Sequence, residues 1–372
     1  MSGNLAASLP RVARNCFWEI TDACNLRCIH CEADAGIAAP DELDESELLR
    51  VAEQLPEIGC ERVYLTGGEP LVRWQWPKLA RRIADLGMQP IVVTNGIRVG
   101  SATLDTMRAA GVRELSISLD GLAEAHDALR LPVHTPAPSR FDAVMRAIRL
   151  SVSAGLRTAV VTTIHRRNLE DLPEMYQLLS GLGVSAWQVQ LCIPQGRMRG
   201  QALAYLLEPS QLPQVEDVLV RLIQDGRMRI AVGDNIGYYG QHEPVLRGSV
   251  RGTQSFWLGC FAGCKTVAIC SNGDVKGCPS HPKSLVVGNL RRETLAEIWG
   301  DASRFAYNTQ WDEQLLSSAC ASCAYRRLCR GGCRTMALCS TGRIYDDPYC
   351  VRRSSNQPAL SLGRDRGMST RL

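Results

Sequence analysis

The stretch Phe17-Trp18-Glu19-Ile20-Thr21-Asp22-Ala23-Cys24-Asn25-Leu26-Arg27-Cys28-Ile29-His30-Cys31 runs from a short apolar strand segment into three cysteines spaced Cys-x3-Cys-x2-Cys. Three thiolates on one tight loop can converge on a single metal centre, and thiolates select zinc or iron–sulfur clusters. A cubane has four irons, so three cysteines leave one iron open. An open position is what lets a metal site bind and act on a small molecule. The bland alternative is a structural zinc site missing its fourth ligand, for which His30 is a poor candidate.

Outward from this loop, apolar β-type runs at 17–20, 63–66, 91–94, 114–119, 158–163 and 187–191 alternate with helix-like segments at 46–55, 76–86, 102–110, 141–154 and 172–182. Gly59, Gly87, Gly111, Gly155 and Gly183 each stand just past a helix, where a C-cap needs them. The repeat predicts consecutive βα units, a parallel sheet and an α/β fold. Six units are too few for a closed eightfold barrel, so an open partial (βα)6 barrel over 16–199 is expected, with a flat sheet as the alternative. The segment 1–15 precedes it. Residues 200–256 read as a bridge with a helix near 213–223. Residues 257–350 read as a small cysteine-rich domain with little apolar core, which metal would have to stabilise. The tail 351–372 carries five arginines against one aspartate and is expected to be mostly disordered.

Composition narrows the function classes. The chain has 372 residues, 45% hydrophobic, with a net charge of +4. This is not the clustered basic footprint of a nucleic-acid binder. No apolar run is long enough to span a bilayer, and residues 1–15 lack the apolar region of a secretory signal. A soluble, cytoplasmic protein is expected. Sixteen cysteines are many for such a chain, and ten of them crowd into 260–350. Clustered cysteines in a reducing compartment are more often metal ligands or catalytic groups than disulfides.

Cys24, Cys28 and Cys31 resemble the signature of the radical S-adenosylmethionine (SAM) superfamily. The loop Thr66-Gly67-Gly68-Glu69-Pro70 after the second strand is similar to that family's glycine-rich SAM-binding segment. The resemblance covers 16 to about 192. It implies that the open iron of a [4Fe-4S] cluster chelates SAM, that Gly67 and Gly68 let backbone approach the ligand, and that Glu69 accepts hydrogen bonds from the SAM ammonium. Asn95 and Ser118 end the third and fourth strands, with Arg130 twelve residues past Ser118. In similar enzymes a serine and an arginine so placed hold the SAM carboxylate, for which a guanidinium is the natural bidentate partner. His30 stands where the family has an aromatic residue near adenine.

A second resemblance lies further on. Cys260-x12-Gly273-x4-Cys278, then Cys320-x2-Cys323-x5-Cys329-x3-Cys333, then Cys350, is similar to the SPASM domain, an auxiliary-cluster module of radical SAM maturases. Ser271-Asn272-Gly273-Asp274 reads as a hairpin turn that brings Cys260 and Cys278 together. The resemblance implies one auxiliary cluster on Cys260, Cys278 and Cys333 and another on Cys320, Cys323, Cys329 and Cys350, three [4Fe-4S] clusters in all. Cys264 is preferred over Cys270 as fourth ligand of the first, and an open iron is the third possibility.

The implied chemistry is reductive cleavage of SAM to a 5′-deoxyadenosyl radical that abstracts a hydrogen atom from substrate. A ribosomally made peptide or protein is the favoured substrate, and a sugar or antibiotic precursor is the alternative. The implied partners are a flavodoxin- or ferredoxin-type reductant and, with only about 15 residues before the first strand, a separate leader-binding protein. Pro279 stands where the sulfatase-maturing branch has an aspartate, which disfavours formylglycine formation. Cys192, at the end of the sixth strand, is a candidate hydrogen-atom donor, against its plainer reading as a small buried residue. Cys16 and Cys60 read as core. Cys339 has no assigned role, and Tyr238 and Tyr239 suit either a substrate channel or plain packing.

Overall fold

The computed structural model describes residues 11–134, 137–248 and 256–354. The alternation seen in the sequence becomes β1 (Asn15–Thr21), α1 (Glu45–Gln54), β2 (Arg62–Gly67), α2 (Trp76–Asp85), β3 (Gln89–Thr94), α3 (Ser101–Ala109), β4 (Glu114–Ser118), α4 (Ala123–Leu129), α5 (Arg140–Ser153), β5 (Arg157–Ile164), α6 (Leu172–Gly181) and β6 (Ala186–Leu191). All five helix-closing glycines have φ between 73° and 82°. The helix α4 was not foreseen: its sequence AEAHDAL offers one large apolar side chain and no apolar stripe.

Every second residue of β1 (Cys16, Trp18, Ile20) is fully buried, as are Val63 and Leu65 of β2, which the parallel register sets beside Cys16 and Trp18. On the other face Phe17 and Tyr64 stack at 4.6 Å. Cys16 and Cys60 lie in the main apolar core, as expected.

The sheet is wider than six strands. The run 200–256 contains β7 (Arg229–Val232), which pairs in parallel with β6. The cysteine-rich region supplies β8 (Thr266–Ile269), parallel to β1 on its free side. The hairpin continues through β9 (Asp274–Lys276) to β10 (Gly288–Asn289), giving the order β10-β9-β8-β1-β2-β3-β4-β5-β6-β7. Gly273 supplies the turn at φ 88°.

Two expectations about the C-terminal half are corrected here. The bridge is partly sheet, because β7 and the helix Leu212–Asp225 extend the βα pattern. The C-terminal module does not lack an apolar core: Val267, Ile269, Val275, Leu295, Ile298, Phe305 and Met336 are buried in the same cluster as Trp18 and Leu65. Burial is therefore shared between the two halves. At the start of the tail Val351–Ser354 is helical and Val351 is fully buried. Residues 355–372 lie outside the described residues. Among the described residues no helix is long and apolar enough to cross a membrane.

One buried acid stands apart from the cysteine sites. Glu216, on Leu212–Asp225, is 1% exposed, and neither carboxyl oxygen has a hydrogen-bond partner. A Cβ at Gly237 or Gly240 would fall 2.7 or 2.6 Å from those oxygens. Burial and the nearby Glu243 push Glu216 up to about 8, against the pull of Arg247. The unfolded carboxyl titrates near 4.5, so the folded state holds the extra proton between 4.5 and 8 and loses stability as pH rises through that window. Glu216→Gln removes the titration. It should stabilise the chain by about 2 kcal/mol at pH 8 and by little at pH 5, read from denaturant unfolding at both values.

Candidate functional site

The three cysteines of the first loop lie just past the C-terminal end of β1. Backbone amides point at their sulfurs: Leu26 N–H donates to Cys24 Sγ at 3.4 Å and Ala35 N–H to Cys31 Sγ at 3.3 Å. Burial pushes the Cys28 thiol up to about 12, opposed by the Arg130 guanidinium, whose Nη1 is 4.0 Å from Cys28 Sγ. Amide donors and a fixed cation favour thiolates over thiols, which is what an iron–sulfur cluster requires of its ligands.

The loop is clamped from β6. Gly196 has φ 56°, and a Cβ there would lie 2.2 Å from the carbonyl of Cys31. The next residue, Arg197, donates from Nε to the Cys28 carbonyl (2.8 Å) and from Nη1 to Asp34 (2.7 Å) and the Ala35 carbonyl (2.9 Å). Sequence reading missed this arginine. Its only signal was a Gly-Arg pair shortly after the sixth strand.

The candidate SAM residues gather where β2, β3 and β4 end. Glu69 is fully buried. It accepts from Thr94 Oγ1 (2.8 Å) and Leu71 N–H (3.1 Å) on one oxygen and from Asn95 N–H (2.8 Å) on the other. Its carboxylate is thus a clasp between the β2 and β3 ends, a task the sequence did not suggest. Gly67 and Gly68 allow close approach, but to the neighbouring backbone: added Cβ atoms would fall 2.3 Å from Thr21 O and 2.2 Å from Ala23 O. Asn95 uses its Oδ1 on Ile97 N–H (3.1 Å) and its amide on Asn25 (2.7 Å).

Asp120 organises the rest, and it was not singled out as a site residue. It is fully buried and takes Arg130 Nε at 2.6 Å, His30 Nε2 at 3.3 Å and Thr163 N–H at 2.8 Å. The Arg130 cation and the nearby His30 and His126 outweigh the cost of burial and hold the carboxylate well below its usual range. Burial keeps His30 neutral, down to about 3. Because Nε is spent on Asp120, the terminal nitrogens of Arg130 face Cys28 and His30. That orientation suits a carboxylate lying next to the cysteine loop. Ser118 ends β4 two residues before Asp120. Cys192 follows β6 and packs in a small apolar cluster with Leu129, Met198 and Tyr205. Burial pushes its thiol up.

In the C-terminal module two groups of cysteines form. Cys260 acts on the thiols of Cys278, Cys333 and Cys264, and Cys278 acts on Cys333, which places the four together. Cys270 lies elsewhere, hydrogen-bonded to Glu19 and Lys276. Cys320, Cys329 and Cys350 form the second group, with Cys323 beside Cys320. Tyr238 and Tyr239 are each 1% exposed and pack with Trp257 and Tyr325 against cysteines of both groups, so they fill a partition rather than line a channel. None of the sixteen cysteines forms a disulfide. Among the described residues no three metal-binding side chains close in on a single-ion site. A four-iron cluster is wider than one ion and spaces its cysteines accordingly.

A radical SAM superfamily model matches residues 18–179, and an iron–sulfur cluster-binding domain model, SPASM, matches 260–324. The mycofactocin maturase MftC of Mycobacterium tuberculosis is 30% identical over 354 residues, 93% of this chain and 85% of that protein. The chain belongs to the radical SAM superfamily. An AdoMet-dependent heme synthase of Methanosarcina barkeri is 29% identical over 346 residues, 90% of this chain and 95% of that protein. SuiB of Streptococcus suis, solved with S-adenosylmethionine, shares the fold at a TM-score of 0.70 and 16% identity, over 91% of this chain and 76% of that one. This radical SAM enzyme therefore pairs an α/β domain built on a parallel sheet with a C-terminal SPASM domain.

Removing the charge of Asp120 leaves the Arg130 guanidinium buried and unpaired. Asp120→Asn should cost about 3 kcal/mol, measured by chemical denaturation.

Proposed function

We propose that this chain holds three [4Fe-4S] clusters, cleaves SAM reductively, and uses the resulting radical to abstract a hydrogen atom from a ribosomally made peptide, ending in a cross-link, an oxidation or an epimerisation. The observation that carries the substrate class is the likeness to the mycofactocin maturase along 93% of the chain. A one-electron donor of the flavodoxin or ferredoxin type is the expected partner.

Cys24, Cys28 and Cys31 would hold the first cluster, which supplies an open iron and one-electron reduction when bound. The protein's part is orientation and charge. Arg130, with Nε fixed by Asp120, presents its terminal nitrogens to the SAM carboxylate, and Ser118 adds a hydroxyl from the end of β4. Glu69 fixes the β2 loop against β3 and keeps the shape of the pocket. His30, neutral through burial, offers an uncharged face to adenine. Cys192, at the end of β6, would serve as hydrogen donor in an epimerisation.

The heme synthase relatives favour a second reading, a small-molecule substrate such as a heme precursor. The deciding assay supplies SAM and dithionite anaerobically with either a candidate precursor peptide or a porphyrin precursor and follows the product by mass. Peptide modification supports the first reading. Turnover of the porphyrin alone replaces it.

Cluster loading is tested separately. The reconstituted chain should hold about twelve irons and form 5′-deoxyadenosine. With Cys24, Cys28 and Cys31 changed to alanine it should hold about eight and form none. Zinc in place of iron, or equal 5′-deoxyadenosine from both proteins, would sink the proposal. Cys264→Ala should lower the iron content or alter the auxiliary spectrum, whereas Cys270→Ala should leave both unchanged.

A further inference from the structure

Around Cys260, Cys264, Cys278 and Cys333 the protein leaves buried hydrogen-bond donors unused. Arg334 follows Cys333 in sequence and is fully buried. Its Nε donates to the Tyr307 carbonyl (3.1 Å) and Asn308 Oδ1 (3.0 Å), and its Nη1 to the carbonyls of Arg330 (2.7 Å) and Gly332 (3.0 Å). Its Nη2 is buried and has no partner. The guanidinium lies over the Tyr345 ring at 4.6 Å, and among the described residues it makes no ion pair. The Tyr307 hydroxyl is also buried and unpartnered, and its surroundings include Cys260, Cys278 and Cys264. A Cβ on Gly277 would fall 2.2 Å from that hydroxyl, so the residue before Cys278 leaves room for it.

A third donor arrives from the other end of the chain. Arg11 stacks over Trp299 (4.5 Å) and Phe305 (4.8 Å) and donates to the carbonyls of Gly263 (3.0 Å) and Trp299 (2.7 Å). Its Nη2 is buried without a partner. Arg11, Arg330 and Arg334 all lie within electrostatic reach of Cys264. The charged groups beside the second cysteine group include Arg326, Arg352 and Arg353. There Arg353 is paired with Asp346 at 2.8 Å, and the buried Asp347, which accepts from the Cys333 amide at 3.0 Å, faces both groups.

Buried donors are nearly always satisfied, and a buried cation without an anion is strongly unfavourable. Unused donors on Arg334, Tyr307 and Arg11 around one set of thiolates mark the place of an anion. A [4Fe-4S] core bound by four thiolates is such an anion, and its charge grows on reduction. Nearby positive charge and hydrogen bonds to sulfur raise its potential.

We propose that Arg334, helped by the Tyr307 hydroxyl and Arg11, is the built-in counter-charge of the auxiliary cluster on Cys260, Cys264, Cys278 and Cys333. It makes that cluster easier to reduce than it would be without these donors. Arg334 is on this view a positioning residue for charge rather than a group that touches substrate. The proposal rests on the reading that the module holds two clusters.

The test uses the full chain with Cys24, Cys28 and Cys31 changed to alanine, reconstituted anaerobically so that only auxiliary clusters give signals. Each is titrated with dithionite and followed by electron paramagnetic resonance. Tyr307→Phe and Arg334→Gln should each disfavour the reduced form of one cluster about tenfold, a fall of about 59 mV for a one-electron couple, and leave the other midpoint in place. Arg334→Lys should restore it. The Tyr307 hydroxyl has no protein partner to lose, so Tyr307→Phe should retain full iron. Loss of about four irons in Arg334→Gln that Arg334→Lys restores also supports the counter-charge. Unchanged midpoints in Tyr307→Phe and Arg334→Gln overturn the proposal, as does iron loss in both Arg334 variants with Tyr307→Phe unmoved. A parent protein that binds no auxiliary iron overturns the two-cluster reading itself, an outcome distinct from unmoved midpoints.

Discussion

A fully buried carboxylate must be met by donors on every side, and Asp120 is met by groups from several elements of the sheet. Arg130 comes from the end of α4, His30 from the cysteine loop, and the Thr163 amide from β5. The Asp120 amide in turn donates to His126 Nδ1 at 3.1 Å, and its carbonyl accepts from Asn168 at 3.0 Å. One side chain therefore fixes where β4 ends, how α4 starts back across the sheet, and where the Arg130 cation sits beside Cys28. The thiolates of the loop gain their nearest fixed positive charge through this arrangement.

Elements that obey a local period were legible in the sequence. The six strands and five helices of the βα region appear within a few residues of their expected bounds, because burial alternates along strands and glycine closes the helices. The grouping of the C-terminal cysteines came from the resemblance to the SPASM domain, since Cys260 and Cys333 lie far apart in sequence. What was hidden depends on contacts between segments far apart in sequence. The clasp made by Glu69 was hidden because nothing local shows that Thr94 and Asn95 come to rest against it. Arg197 reaches the cysteine loop from 169 positions away. The strand β8 is four residues long and becomes recognisable only beside β1. Cys264 and Cys270 could not be separated by spacing. They part because the hairpin turns Cys270 toward Glu19 and Lys276.

The two cysteine groups of the C-terminal module differ in what surrounds them. The guanidinium groups of Arg11, Arg330 and Arg334 border one, the Arg353–Asp346 ion pair borders the other, and the buried Asp347 faces both. Between them lies a wall of aromatic rings, with Tyr239 stacked on Tyr325 at 4.4 Å and Tyr238 against Trp257 at 5.4 Å. The Tyr238 hydroxyl donates to Asp347 at 2.8 Å and accepts from the Cys333 amide at 2.9 Å, tying one group's backbone to the other's surroundings. Packing of this density leaves little freedom for one group to move relative to the other.

The pairing of β1 with β8 also bears on how the chain is made. At roughly 5–20 residues per second, the ribosome needs about 12–50 s after β1 emerges to deliver its second neighbour. The sequence separation is 251 positions, from Asn15 to Thr266. During that interval one hydrogen-bonding edge of β1 stands open beside a loop of unmetallated thiols, the kind of edge that recruits unwanted strands. The nascent enzyme is thus most vulnerable to aggregation and oxidation before its last third is synthesised, and its yield in a foreign host should respond to growth temperature and to chaperone and iron supply.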